Sequence, residues 1–239
     1  MNVKSKLSTE SVGLQPAMST STWNVEIESH RFLLWLQVVV VFLLIECALW
    51  SAGPLQKRFS LMAMVAIVGF TILNRSGLRE LGLGRAGFWN AMVAVPIALL
   101  IAISFVALGI WAGTTRGLFG PGSVYLHAFG YGIWSLEQEF ILNSFFYLLL
   151  EKLLGNNRRT ALCAATLFSF VHIPNPVLVP ATLIGGMLFV EAFRRWRNIY
   201  PLGIAHAALG LSLAISTPDS WMHHMRVGLS FLRFHPHMG

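Results

Sequence analysis

Three ionisable side chains, Glu139, His172 and His206, lie in separate apolar stretches of this sequence. A charged side chain at the centre of a bilayer costs about 2.5 kcal/mol or more, so each of them needs a partner or a use. One carboxylate and two imidazoles can bind and deprotonate a water molecule, by general base chemistry or around a metal of the His/His/Glu type. The sequence therefore predicts a water-activating centre among apolar segments.

Carboxamides accompany the carboxylate in the stretch Ser-Leu-Glu-Gln-Glu-Phe-Ile-Leu-Asn. On a helix, Glu139 and Asn143 share one face because they are four residues apart, and Gln138 lies beside them. Glu137 lies about 160° around the helix from Glu139. Two arrangements are open: Glu139 acts as the base while Gln138 positions the water, or local overwinding of the helix turns Glu137 inward. We favour the first, because it needs no distortion.

Any one of the three ionisable residues could simply hydrogen-bond a neighbouring helix. Together they favour catalysis. Counted from the predicted cytoplasmic helix ends at about 1.5 Å per residue, Glu139, His172 and His206 lie at depths of about 20, 18 and 12 Å. Three helices could therefore bring them to one level.

The composition indicates a membrane protein. Of 239 residues, 55% are hydrophobic and 11% are charged, whereas a soluble domain has about 25% charged residues. The formal net charge of +7 arises from short clusters between apolar runs, so we expect no nucleic-acid partner. Cys47 and Cys163 lie inside apolar runs without CxxC spacing, which indicates packing residues.

Apolar runs of span-like length organise the chain, and they predict an all-α polytopic transmembrane bundle of about seven helices. We expect a disordered cytoplasmic tail over 1–31, the bundle over 32–216 and a polar C-terminal tail over 217–239. The runs cover 32–52, 59–74, 88–113, 123–151, 160–174, 177–193 and 199–216.

The distribution of Lys and Arg predicts the topology, because these residues are enriched in cytoplasmic loops. With seven spans, most of the 17 basic residues fall on the side of the amino terminus, which is therefore predicted to be cytoplasmic. They are Lys4, Lys6, Arg31, Arg75, Arg79, Arg85, Lys152, Arg158, Arg159, Arg194, Arg195 and Arg197. The others are Lys57, Arg58, Arg116, Arg226 and Arg233.

Several polar residues outside this centre have other interpretations. Glu191 precedes Arg195 by four residues at a helix end, which is typical of a surface ion pair. Gln37 and Glu46 in the first run have no evident role. The C-terminal histidines lack regular metal-ligand spacing, so we leave them out of the predicted site. They are His223, His224, His235 and His237.

Over 123–216 the motifs resemble those of the CPBP intramembrane proteases, which include CAAX prenyl endopeptidases and bacteriocin-processing proteins. That family carries Glu-Glu-x-x-x-Arg, Phe-x-x-x-His and His-x-x-x-Asn in this order on separate transmembrane helices. The matching stretches here are Gln138-Glu139-Phe-Ile-Leu-Asn143, Phe168-Ser-Phe-Val-His172 and His206-Ala-Ala-Leu-Gly210. Gln138, Asn143 and Gly210 depart from the family motifs, and Gln138 replaces the Glu to which water activation is usually assigned.

The resemblance implies an endopeptidase that hydrolyses a peptide bond within or near the membrane. Its substrate is expected to be a membrane-anchored or lipid-modified protein that enters laterally from the bilayer of a bacterial cytoplasmic membrane. No cofactor is required by these residues. Glu139, His172 and His206 would suit a divalent metal such as Zn²⁺, and they would suit a metal-free mechanism equally well.

Two other classes of function are open. A catalytically inactive scaffold could use the same fold to hold a partner helix, and the three departures from the motifs favour it. A proton-coupled transporter could use Glu139 and the histidines as a relay. The sequence has no matching halves, which counts against a transporter.

Overall fold

The computed structural model describes residues 20–115 and 124–234. These residues form helices and connecting segments without a β-strand. The α-helices are α1 (Thr20–Leu49), α2 (Gly53–Leu73), α3 (Phe88–Ala91), α4 (Ala94–Ala112), α5 (Val124–Glu139), α6 (Leu148–Leu154), α7 (Arg158–Phe170), α8 (Leu178–Trp196), α9 (Tyr200–Ser216), α10 (Asp219–Met222) and α11 (Gly228–Leu232). Lys4, Lys6, Arg116, His235 and His237 lie outside the described residues.

The seven predicted apolar runs all fall on helices, but seven membrane spans are not confirmed. Three helical segments are long and apolar enough to cross a membrane: Glu28–Leu49, Gly53–Leu73 and Phe88–Ala112. A fourth span results if Tyr200–Ser216 and Asp219–Met225, which are bent by 120° relative to each other, form one broken span. The all-helical fold is thus confirmed for the described residues, together with three or four segments that are long and apolar enough to cross a membrane.

Length and charge explain why two of the other runs fall short of the length and composition of a single span. A helix that crosses the bilayer needs about 20 apolar residues, and α7 has only 13. The last turns of α8 carry Glu191, Arg194 and Arg195. In addition, α1 begins at Thr20, so residues 20–31 are helical where we expected part of the disordered tail.

Helix α2 exposes a continuous apolar face. Leu61, Val65, Val68 and Ile72 are all at least half exposed, and within the described residues only Ala63 and Ile67 of this helix are buried. Exposed apolar patches of this extent mark a surface that contacts lipid or another protein. This face is consistent with a helix at the edge of a membrane-embedded bundle.

A π-helix, Phe140–Tyr147, joins α5 to α6 without a break. It begins directly after Glu139, and Leu142, Asn143 and Tyr147 within it are completely buried. A π-helix is wound more loosely than an α-helix, and such segments occur frequently at functional sites. The helix is therefore underwound next to Glu139, whereas turning Glu137 inward required overwinding.

Helix α9 forms the centre of the bundle and packs against α4 and α5, while α7 pairs with α8 and α1 with α2. Small residues permit the close crossings, as is usual between membrane helices. A Cβ atom on Gly203 would lie 3.2 Å from the Cα of Leu136 in α5. On Gly109 in α4 it would lie 2.7 Å from the Cβ of Ser216.

We expect Gly109→Ala to lower the free energy of unfolding by about 1–3 kcal/mol, because the added methyl forces α4 and α9 apart. Thermal unfolding in detergent measures the effect. Gly69→Ala is the matched control, since a Cβ atom there meets nothing within 4 Å. It should be neutral or slightly stabilising, because Ala favours a helix over Gly. Equal behaviour of the two variants would contradict the close crossing.

The connection between α2 and α3 is bonded to the helices that carry the site. Ser144 donates from Oγ to the carbonyl of Leu81 at 2.6 Å. Asn198, between α8 and α9, donates from Nδ2 to the carbonyls of Gly84 at 2.8 Å and Ala86 at 3.2 Å. Both carboxamide and hydroxyl are buried. These bonds attach both the π-helix and the start of α9 to the connection between α2 and α3.

The structure corrects or explains the peripheral polar residues. Glu191 pairs with Arg194 at 2.6 Å, so the ion pair expected with Arg195 was assigned to the wrong arginine. Gln37 accepts a hydrogen bond from Asn74 at 2.7 Å, which links α1 to the end of α2. Glu46 accepts one from the indole of Trp50 at 3.0 Å. None of these groups belongs to the predicted centre.

Residues 222–228 form a strap that folds back on the bundle, where we expected a polar tail. His223, His224 and Met225 have φ angles of 47°, 52° and 59°. This left-handed conformation is unfavourable for residues other than Gly. Asn175 compensates by donating from Nδ2 to the carbonyls of Met222 at 2.9 Å and Arg226 at 3.0 Å. The strap therefore depends on contacts outside itself.

Candidate functional site

A cavity of about 170 Å³ lies between α5, α7, α8, α9 and the strap. Its polar lining includes Gln138, His172 and His206. Helix α8 contributes two glycines and Phe189 to the cavity wall, and the strap contributes Met225. Within the described residues, this is where the sequence-predicted groups come together.

A buried chain of hydrogen bonds leads from α5 to the cavity. Asn143 donates from Nδ2 to Oε2 of Glu139 at 2.7 Å, the contact that their four-residue spacing predicts. The other carboxylate oxygen, Oε1, lies 2.8 Å from Nδ1 of His206. Glu139 and Asn143 are completely buried. The carboxylate is thus held from both sides, and His206 is its link to the cavity.

The partner of each imidazole determines which ring nitrogen carries the proton. For His206, the partner is the carboxylate of Glu139, and a carboxylate can only accept, so Nδ1 donates to it. The basic nitrogen Nε2 is then left for the cavity that His206 lines. A carboxylate behind an imidazole fixes its tautomer and stabilises the imidazolium that forms when Nε2 takes a proton.

His172 is oriented in the same way by the backbone. Its Nδ1 lies 2.7 Å from the carbonyl oxygen of Phe168, one turn earlier. A carbonyl can only accept, so this Nδ1 carries the proton and Nε2 is again the basic nitrogen. A carbonyl has no charge to offer an imidazolium. The carboxylate of Glu139 can therefore stabilise an imidazolium on His206, and His172 is suited to hold water.

Aromatic rings fix both imidazoles. The ring of Phe168 packs edge-on against His172 at 5.0 Å and against His206 at 6.1 Å, measured between ring centroids. Phe189 from α8 stacks on His206 at 5.5 Å. These contacts limit ring rotation, which reduces the reorganisation needed before a reaction.

The structure places the acidic residues differently from the carboxamide beside them. Gln138 lines the cavity, whereas Glu139 lies behind His206 and is not part of the cavity wall. Glu139 is therefore placed to support a base rather than to contact water itself. Glu137 is partly buried and does not line the cavity. The sequence could not predict these positions. It shows which residues share a face of α5, but not which side chain of another helix packs against that face.

A metal of the His/His/Glu type does not fit this arrangement. The two oxygens of Glu139 are engaged by His206 and Asn143, so neither is directed at a common point with the two Nε2 atoms. In the part of the chain that the structure describes, no group of three or more His, Cys, Asp or Glu side chains could hold a metal ion. The geometry instead suits proton transfer.

Sequence reasoning missed Tyr131, Thr182, Met225 and Val227, which also line the cavity. It identified Gly210 only as a departure from a motif. A Cβ atom on Gly210 would lie 2.0 Å from the hydroxyl oxygen of Tyr131. Tyr131 thus occupies the space that a side chain at position 210 would need. No spacing rule within one helix predicts a contact between α5 and α9.

Comparisons with protein-family models, curated proteins and solved structures find no match to this chain.

Proposed function

We propose that this protein is a membrane hydrolase that cleaves a peptide bond in a membrane-anchored or lipid-modified protein. The cavity bordered by His172 and His206 is its active site. The observation that carries this proposal is the chain from Asn143 through Glu139 to His206, which ends at the cavity. A carboxylate that supports an imidazole beside a cavity is the arrangement of a general base.

The reaction begins with a water molecule held between Nε2 of His172 and Nε2 of His206. Nε2 of His206 takes a proton from the water as its oxygen bonds to the carbonyl carbon of the substrate. The carbonyl electron pair moves to the oxygen and gives a tetrahedral oxyanion. When the oxyanion collapses, the C–N bond breaks and the leaving nitrogen takes the proton from His206. The products are a carboxylic acid and an amine, which exchange a proton to give a carboxylate and an ammonium group.

Each remaining polar residue has a part in this proposal. Glu139 stabilises the imidazolium, and Asn143 holds the carboxylate in place. Gln138 can bind the substrate backbone, because its carboxamide both donates and accepts. Glu137 takes no part. This is close to the chemistry implied by the CPBP-like motifs, but with His206 as the base in place of a glutamate.

The surroundings of the site support a membrane substrate. The exposed apolar faces of α1, α2 and α4 belong to the three helices that can span a bilayer. We extend this to a multi-pass protein of about seven spans in a bacterial cytoplasmic membrane, with a cytoplasmic amino terminus. A substrate anchored in the same bilayer could then reach the cavity laterally.

A cleavage assay in liposomes tests the function. Wild type and His172→Ala are reconstituted with a panel of membrane-anchored and lipid-modified peptides, and products are identified by mass spectrometry. We expect wild type to cleave at least one peptide, and His172→Ala to be about 10²-fold slower because the water loses one of its acceptors. His223→Ala, in the strap, is the matched histidine control and should retain activity.

Three outcomes would count against this metal-free hydrolase. Binding of a peptide without cleavage by wild type would support the inactive scaffold and overturn the hydrolase. Loss of cleavage in the presence of a chelator would contradict the metal-free site and require a metal that the carboxylate of Glu139 does not hold. Proton-coupled flux in the same liposomes would support the transporter.

A further inference from the structure

The proposed reaction needs a hydrogen-bond donor for the oxyanion, and the imidazoles do not provide one at the start. Nδ1 of His172 and Nδ1 of His206 are engaged by Phe168 and Glu139, so their Nε2 atoms are acceptors. The hydroxyl of Thr182 lines the cavity but donates to the carbonyl of Leu178 at 2.7 Å. The other lining side chains that can donate are Gln138, which is assigned to the substrate backbone, Trp134 and Tyr131.

The hydroxyl of Tyr131 is in a suitable place. It lies against the backbone of Gly210, where a Cβ atom would come within 2.0 Å of the oxygen and 2.8 Å of Cζ. Positions 206 and 210 are four residues apart on α9, so they share one face and their Cβ positions are about 5–6 Å apart. Tyr131, Gly210 and His206 all line the same cavity. The phenol hydroxyl is thus one helical turn from the base.

We propose that Tyr131 is a catalytic residue that donates a hydrogen bond from its hydroxyl to the oxyanion. This inference rests on the proposed function. If the substrate carbonyl lies between His206 and position 210, its carbon faces the water at Nε2 of His206. Its oxygen then faces the hydroxyl of Tyr131. The donor is fixed before the reaction, because the ring of Tyr131 packs against a residue without a side chain. Gly210 is therefore the residue that makes room for the donor.

Tyr131→Phe removes the hydroxyl and keeps the ring against Gly210. We expect kcat for cleavage to fall about 10²- to 10³-fold, as for loss of one oxyanion donor, while KM changes by less than about twofold because the donor acts mainly in the transition state. Tyr200→Phe is the matched control. Its hydroxyl donates to the carbonyl of Leu83 at 3.2 Å, away from the cavity, so its kcat should equal that of wild type.

A second pair of variants separates a donor from a packing role. Tyr131→Ala empties the space over Gly210, and adding Gly210→Asn or Gly210→Leu fills it with side chains of similar shape, only one of which can donate. We expect the Asn variant to be at least tenfold faster than the Leu variant. Equal rates for these two, or wild-type kcat in Tyr131→Phe, would overturn the role of Tyr131 and leave the hydrolase standing. Absence of cleavage by wild type would overturn both.

Discussion

Glu139→Gln slows hydrolysis about 10³- to 10⁴-fold, the loss expected when the carboxylate behind a catalytic imidazole becomes a carboxamide. The shape of the side chain is preserved, so His206 remains beside it. The charge that stabilises the imidazolium is lost, and the tautomer with the proton on Nδ1 is no longer enforced. Single-turnover cleavage in liposomes measures the rate of the chemical step.

The variant should fold, because the hydrogen bonds to Asn143 and to His206 can both be kept. If the substituted carboxamide accepts from Nδ2 of Asn143 and donates to Nδ1 of His206, the imidazole takes the other tautomer and no buried donor is stranded. The thermal midpoint should therefore change little, which separates a lost charge from a lost fold.

Glu137→Gln is the matched control, since it makes the same chemical change two residues earlier, at a side chain that does not line the cavity. Its rate should equal that of wild type. His206→Ala and the double variant with Glu139→Gln should be about equally slow, because both residues act as one unit. Full activity of Glu139→Gln, or a loss in Glu137→Gln of the same size, would contradict the assigned roles.

The sequence predicted the contacts of this site that lie within one helix, but not those between helices. The i, i+4 spacing placed Asn143 on Glu139, because that contact depends on one helix alone. It could not show that Glu139 faces His206, since the two lie 67 residues apart and meet only when α5 packs on α9. The base was therefore assigned to Glu139, one side chain behind the histidine that lines the cavity.

The fold shows the same division. Apolar runs located the helices well, but they did not give the helix ends, because α7 ends at Phe170 and residues 171–177 form the connection that carries His172. The number of seven spans stays a prediction. The π-helix has no recognisable signal in the sequence stretch Phe-Ile-Leu-Asn-Ser-Phe-Phe-Tyr. The sequence predicts only a polar tail at the strap, because Asn175, whose side chain holds the strap, lies about 50 residues away in the chain. The position of Asn175 between Pro174 and Pro176 is the one signal in the sequence that α7 ends there and that a new helix begins with an Asn cap.

Asn175→Asp should release the strap and lower the free energy of unfolding by about 2–4 kcal/mol. Asn175 is completely buried. Its Oδ1 accepts from the amides of Val177 at 3.1 Å and Leu178 at 3.0 Å, and its Nδ2 donates to two strap carbonyls. Asp keeps the acceptor that caps α8. It replaces the donor with an oxygen that repels both carbonyls, and each buried group left unsatisfied costs about 1–3 kcal/mol.

Hydrogen exchange in detergent measures strap release at the amides of 222–228. Once Asn175 no longer holds Met222 and Arg226, three consecutive left-handed residues are unfavourable, and the strap has no reason to keep that conformation. The bond from the amide of Gly228 to the carbonyl of Ile173, 2.8 Å long, should open with it.

Asn157→Ala is the control, because it removes the side-chain cap that Asn157 gives to the amide of Thr160 in α7 and does not touch the strap. It should destabilise by about 1 kcal/mol and leave strap exchange unchanged. Faster exchange confined to the start of α8 in Asn175→Asp would mean that the cap, and not the strap, depends on this residue.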